Sequence, residues 1–197
     1  MILMALELAP ATDQMSRVVA GITDDQLTAT TPCEGMDVAT MLAHVQGLSV
    51  AFRDAARKVD GPTTSTAPKA ASKDLSPGWR DEIPVALGEL AQAWREPGVL
   101  EGFSKAGGVT LPSEVALVVA NNELVMHAWD LAKATGQPYA AAPENLEASW
   151  QMVSNTPDDS QAREGLFGPR LPIADHAPAS GRARANKPGK LGPDLGV

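Results

Sequence analysis

The sequence predicts an all-α protein, an antiparallel four-helix bundle with a short extra helix and an irregular C-terminal tail. Apolar residues recur every three or four positions over several stretches of about 15 to 24 residues. Pro and Gly separate these stretches, and almost no segment shows the alternating pattern of a strand. We therefore expect a helical bundle at residues 1–155 and a Pro- and Gly-rich tail at 156–197, which packs on the bundle or extends from it.

Five helices are predicted from this periodicity and from the residues that begin and end them. Pro10 lies near the start of the first, and Thr23 with Gln26 forms a capping box that opens a short turn after it. Asp37 is the expected N-cap of the second helix, and Gly136 is expected to stop the fourth. The predicted helices span about residues 4–20, 38–59, 79–95, 113–135 and 143–153.

The connections differ in their expected structure. Residues 60–78, rich in Pro, Thr, Ser and Ala, have no hydrophobic period and are predicted to form an exposed connection. Gly107 and Gly108 separate two short stretches, Val99 to Phe103 and Val109 to Leu111, which we expect to pair as a small hairpin. In the tail little regular structure is expected, and the residues that could drape part of it over the bundle are Leu166, Phe167, Leu171 and Ile173.

Composition limits the classes of partner. The formal net charge is −8, so the molecule as a whole repels phosphate backbones and anionic membranes, and we expect a small-molecule ligand rather than nucleic acid or a membrane. Cys33 is the only cysteine, so no internal disulfide forms and the fold suits a reducing compartment such as the cytoplasm. The apolar start lacks the features of a signal peptide, and no window approaches the roughly 20 apolar residues of a membrane helix.

A glutamate and a histidine stand out in the strongest predicted helix. Glu123 and His127 are four residues apart, so they point the same way, on a stripe that includes the apolar Ala116 and Val119. His44 lies on the apolar face of the second helix. Ligand sites in four-helix bundles are built from side chains that project inward from facing helices, so these three residues could converge.

The three side chains have the chemistry of a metal site. Imidazole nitrogen and carboxylate oxygen suit borderline divalent metals, and three protein ligands leave a position open for water or substrate, as in catalytic zinc sites. Zinc is the first expectation, with nickel, manganese and iron open, because the same ligands also hold non-haem iron. Alternatively, Glu123 and His127 form a simple ion pair and His44 is a hydrogen-bonded core residue. Spacing does not decide between these interpretations.

Other polar and aromatic residues give weaker indications of a functional role. Asp130, three positions after His127, could orient that imidazole and fix its tautomer, or could be a surface charge. His176 lies in the tail, where a segment must first be ordered before it can coordinate anything. Cys33 is interpreted as a structural cysteine rather than a reactive thiol. Trp94 and Trp129 are expected to be core residues.

Two segments resemble a known family. TPCEGMDVATMLAHV, which contains Cys33 and His44, resembles the segment that opens the second helix in the DinB-like superfamily, in its actinobacterial branch related to mycothiol-dependent maleylpyruvate isomerase. ELVMHAWDLAKATGQP, which begins at Glu123, resembles the second motif of that branch. The resemblance implies a four-helix bundle that holds a divalent metal through His44, Glu123 and His127, with no catalytic residue beyond these ligands.

The resemblance also implies a class of reaction. In isomerase-like relatives the metal activates the thiol of mycothiol, so the implied activity is a thiol-dependent transferase or isomerase acting on an electrophilic substrate. Relatives of this kind often pair as homodimers. A second function class stays open, a noncatalytic metal-binding or sensing module, because no convincing acid or base partner accompanies the three ligands.

Overall fold

The computed structural model describes residues 6–66 and 74–155, and the predicted tail with His176 lies outside this part of the chain. A 3₁₀ turn at Asp24–Gln26 follows the first helix, as the capping box predicts, with the Thr23 backbone N–H donating to Gln26 Oε1 at 3.0 Å. The helices are α1 (Ala9–Ala20), α2 (Val38–Ala56), α3 (Pro62–Ser65), α4 (Trp79–Ala93), α5 (Ser113–Ala134) and α6 (Pro143–Asn155), and the strands are β1 (Phe103–Ala106) and β2 (Val109–Pro112).

Four of these helices form the bundle. Both α1 and α2 pack against α4 and α5, so α1 and α2 lie across one diagonal of the bundle and α4 and α5 across the other. The short extra helix, α6, packs on the outside against α5, and the hairpin of β1 and β2 contacts α2, α3 and α5 at one end. The fold class predicted from the sequence is confirmed. Among the described residues, no helix is both long and apolar enough to cross a membrane.

The core lies between the four helices and follows their predicted apolar faces. Fully enclosed leucines, isoleucine and methionines from every bundle helix meet in one continuous cluster. Its largest completely buried side chains include Met15 of α1, Met41 and Leu42 of α2, Ile83, Leu87 and Leu90 of α4, and Leu124 and Leu131 of α5. Burial of a side chain of this size stabilises the fold by about 1.5–3 kcal/mol.

The second helix begins at the predicted cap and ends earlier than predicted. The carboxylate of Asp37 accepts a hydrogen bond from the Thr40 backbone N–H at 2.7 Å, which satisfies one of the free donors at the helix start. The helix ends at Ala56, because Lys58 has a left-handed backbone with φ 57° and cannot continue a right-handed helix. The Lys58 ammonium donates to Val99 O at 2.9 Å and thereby ties this end of α2 to the segment before the hairpin.

The hairpin is present, but its first strand lies further along the chain than predicted. β1 and β2 pair antiparallel around Gly107 and Gly108, with Phe103 opposite Pro112. Residues 99–102, which we expected in the first strand, form turns instead, since Gly98 and Gly102 both have positive φ and the Val99 N–H donates to Glu96 O. A chain that turns at both glycines cannot run as a strand between them.

Part of the connection predicted to be exposed is folded against the bundle. Residues 62–65 form the single turn α3, in which the Thr64 side chain is fully buried and donates to Val59 O at 2.9 Å. The Gly108 N–H donates to Thr64 O at 2.9 Å, so α3 also holds the hairpin. The sequence showed no hydrophobic period here because a threonine, rather than an apolar residue, makes the contact.

A buried amide pair joins α6 to the bundle. Asn145 donates to Asn121 Oδ1 at 2.7 Å and to Glu7 O at 2.8 Å, and Asn121 donates in return to Asn145 O at 2.9 Å and to Ser149 Oγ at 3.0 Å. Asn121 and Asn145 are at most 1% exposed. A fully satisfied polar network in a buried position fixes the register of the helices that share it.

We expect Asn145→Ala to lower the free energy of unfolding by about 1–3 kcal/mol, because it leaves Asn121 Oδ1 buried without its donor. Chemical denaturation followed by circular dichroism measures this change. Asn155→Ala, at the exposed end of the same helix, is the matched control and should change stability by less than about 0.5 kcal/mol. Equal effects of the two variants would contradict the structural role of the amide pair.

Candidate metal centre

Three side chains from two helices meet inside the bundle. His44 comes from α2, and Glu123 and His127 come from successive turns of α5. All three are buried, with exposed fractions of 2%, 6% and 2%. The sequence placed Glu123 and His127 on one face of a helix, and the packing of α2 on α5 brings His44 to the same point.

The nitrogen and oxygen atoms are close enough to share one ligand. Glu123 Oε2 lies 2.9 Å from His127 Nε2 and 3.6 Å from His44 Nε2. The two imidazole rings stand nearly perpendicular, at 87°, with centroids 5.0 Å apart. One donor atom from each residue lies within 4.8 Å of the other two. Ligand atoms around a tetrahedral zinc ion are about 3.3–3.5 Å apart, so small side-chain movements would suffice to enclose a cation.

An ion pair alone does not account for the cluster. Glu123 and His127 satisfy each other, since 2.9 Å is an ordinary hydrogen-bond length. His44 Nε2, in contrast, is buried and has no hydrogen-bond partner, because 3.6 Å to Glu123 is too long. A buried polar atom without a partner costs about 1–3 kcal/mol, and coordination of a cation by this lone pair would remove that cost. The residues therefore fit a divalent metal better than they fit a simple ion pair.

The protonation states follow from burial and from the neighbouring charges. Burial lowers the pKa of His44, which keeps that ring neutral and its lone pair available. Burial opposes ionisation of Glu123, but the hydrogen bond from His127 and the electrostatic influence of the two neighbouring imidazoles outweigh it and hold the pKa of this carboxyl well below its usual range. For His127, burial favours the neutral ring, yet Asp130 and Glu123 raise its pKa to about 9. Without a cation, the cluster thus combines a carboxylate, an imidazolium and a neutral imidazole.

Asp130 lies where it could orient His127. Its Oδ2 atom is 3.4 Å from His127 Nδ1, the nitrogen that faces away from Glu123, and the residue is fully buried. The surface-charge interpretation of Asp130 is therefore wrong. A carboxylate on the far nitrogen of a histidine fixes the ring tautomer and orientation.

The structure also shows where Cys33, Trp94 and Trp129 lie relative to the core. Cys33 lies in the hydrophobic core with 8% exposure, as expected for a structural cysteine, and Trp94 is buried in the same core. Trp129, which we expected in the core, is only partly buried and lines a pocket on the outer side of α5. The sequence missed this pocket because Trp129 lies among buried residues on a helix that is apolar on several sides.

The comparisons with known proteins agree with this fold. Two uncharacterised proteins, from two strains of Mycobacterium tuberculosis, are each 27% identical to this chain over 173 residues, which cover 85% of this chain and 84% of the relative. The crystal structure of the mycothiol-dependent maleylpyruvate isomerase is similar with a TM-score of 0.56 and 20% identity. That of a histidine-to-alanine mutant of the same enzyme has a TM-score of 0.60 and 19% identity. Each match covers 80% of this chain and 70% of the solved chain, which establishes a shared fold.

The family comparison covers nearly all of the four-helix bundle. Residues 8–132 match the family described as the mycothiol maleylpyruvate isomerase N-terminal domain. The matched range starts one residue before α1 and ends within α5, so it contains His44, Glu123 and His127 together with the helices that position them. The chain belongs to the mycothiol maleylpyruvate isomerase N-terminal domain family.

Proposed function

We propose that His44, Glu123 and His127 bind one divalent metal, with zinc as the first candidate, and that the protein is a metal-dependent thiol transferase or isomerase. The metal assignment rests on one observation. Three buried donor atoms from α2 and α5 lie within 4.8 Å of one another, and one of them, His44 Nε2, has no hydrogen-bond partner. Nitrogen and oxygen donors of this kind match zinc, nickel, manganese or iron.

The residues of this chain would hold and tune the site. The neutral ring of His44 offers a lone pair, and Glu123 supplies the negative charge that offsets part of the charge of a divalent cation. Asp130 would hold Nδ1 of His127 and so aim Nε2 at the centre. The apolar walls exclude water, which strengthens the electrostatic interactions inside. A divalent cation bound there lowers the pKa of a neighbouring thiol and so supplies a nucleophile at neutral pH.

The family supports a thiol as the nucleophile. The chain belongs to a family described by mycothiol maleylpyruvate isomerase, and the solved structures that share its fold are of a mycothiol-dependent enzyme. We infer that the co-substrate is mycothiol or a thiol like it, and that the second substrate is a small electrophile. The net charge of −8 agrees with a small-molecule partner rather than a polyanion.

A noncatalytic metal-binding or sensing module is the second candidate. The observation that favours it is the burial of the three donor residues, none of which is more than 6% exposed, so an incoming substrate has little direct access to them. Among the residues that the structure describes, Asp130 is the only other carboxylate recorded at the cluster, and its position beside His127 suits orientation rather than proton transfer to a substrate.

We expect His44→Ala to reduce metal content from about one ion per chain to less than about a tenth, because two protein ligands hold borderline metals much more weakly than three. Elemental analysis of gently purified protein measures the content. His176→Ala is the matched control for the loss of a histidine and should leave the content unchanged. A wild-type protein with no bound metal and no uptake on titration with zinc would overturn the assignment.

Metal uptake is expected to release protons in a defined pH range. His127 has a raised pKa of about 9, so the metal-free protein holds a proton on this ring at neutral pH, and coordination through Nε2 displaces it. The apparent affinity for zinc should therefore rise as the pH increases from about 6.5 to about 9 and then level off. Calorimetric titration in buffers of different ionisation enthalpy gives the number of protons. An affinity that stays constant across this range would contradict the protonated state of His127.

The catalytic proposal predicts metal-dependent thiol transfer. The zinc-loaded protein should accelerate conjugation of mycothiol with the electrophile monochlorobimane, because the bound cation increases the fraction of thiolate. Fluorescence of the conjugate follows the reaction. Removal of the metal by a chelator and the Glu123→Gln variant should each reduce the rate to the uncatalysed value. Full metal binding without turnover of any thiol would favour the noncatalytic module.

A further inference from the structure

A pocket of about 490 Å³ lies on the outer side of α5, away from the metal cluster. The second half of α5, the loop that follows and the start of α6 form its walls, and most of the lining is apolar, with Val125, Met126, Trp129, Tyr139 and Leu146. Residues two apart on a helix point about 200° apart, so Trp129 faces the side of α5 opposite to His127. The proposed metal chemistry therefore does not use this surface.

We propose that the C-terminal segment of this same chain covers the pocket, with apolar side chains of residues 166–173 seated in it. Residues 165–173, GLFGPRLPI, contain Leu166, Phe167, Leu171 and Ile173 within a tail otherwise rich in Pro, Gly and charged residues. Complete burial of each such side chain is worth about 1.5–3 kcal/mol, so an apolar pocket within reach is the expected place for them.

The end of α6 brings the segment close enough. Leu146 lines the pocket, and α6 ends nine residues later at Asn155, which is about 14 Å further along the helix at 1.5 Å per residue. Ten residues lie between Asn155 and Leu166, and an extended chain of that length spans up to about 33 Å. The ten connecting residues are therefore long enough for the segment to reach back to the pocket.

The similarity to the mycobacterial proteins extends into the start of the tail. The match to the mycobacterial proteins covers 85% of 197 residues, which is about 167 residues. At most 155 of these can precede the tail, so the similarity must continue for at least about a dozen residues into it.

Photo-crosslinking in the full-length protein tests the proposal. Phe167 is replaced by the photoreactive amino acid p-benzoylphenylalanine, the protein is irradiated, and mass spectrometry of the tryptic peptides locates the crosslink. We expect a crosslink within one chain to the segment 125–146, which contains Met126, Trp129 and Tyr139. The same replacement at Val85, which is 61% exposed on α4, is the control and should give no product with this segment.

Each alternative occupant gives a different result. Crosslinks found only in covalent dimers, with a yield that increases with protein concentration, would assign the pocket to a second copy and overturn the proposal. Crosslinks from position 167 to other parts of the chain would also overturn it.

An apolar dye provides a further readout. Phe167→Asp should uncover the pocket and increase the fluorescence of added anilinonaphthalene sulfonate at least about threefold, while Leu191→Asp, elsewhere in the tail, leaves it unchanged. Strong binding of the dye to the unmodified protein at this pocket, with no effect of Phe167→Asp, would show that the pocket is open to small ligands and would overturn the proposal.

Discussion

The structure depends on the contact between α2 and α5, because this contact places two imidazoles and a carboxylate together inside an apolar core. Burial of ionisable groups is costly unless each has a partner, and here Glu123 and His127 satisfy each other while His44 Nε2 remains without one. A ligand that accepts the lone pair of His44 Nε2 would complete the arrangement. A divalent cation is the ligand that the donor atoms, their spacing and their burial fit.

The remainder of the fold keeps this contact in register. The Asp37 cap defines where α2 begins, and the Lys58 ammonium ties its other end to the segment before the hairpin. On the other side of α5, the Asn121–Asn145 pair anchors α6. These polar contacts lie around the bundle rather than in the metal cluster, so they set the position of the helices without competing for the donor atoms. A site of this kind needs ligands held in place by surrounding structure, since loosely placed ligands bind metals weakly.

One helix has two functional faces in our interpretation. The inner face of α5 carries Glu123 and His127, and its outer face carries Met126 and Trp129 at the pocket. This division explains why α5 is apolar on several sides and why nearly all of its middle residues are buried. In the proposed arrangement, the bundle packs against the inner face and the tail of the chain against the outer face.

The sequence by itself determined the helical class, the bounds of α5 and α6 within a few residues, the Asp37 cap and the hairpin turn, because these features depend on local periodicity and on local hydrogen bonds. It also placed Glu123 and His127 on one face, since residues four apart on a helix must converge. Only the tertiary structure decided that His44 meets them, that Asp130 is buried beside His127, and that Trp129 lines a pocket. It also decided that α2 ends at Ala56 and that Thr64 packs inside. These outcomes depend on which helices pack together and at what register, and that choice is made by contacts between residues far apart in the chain, which periodicity does not encode.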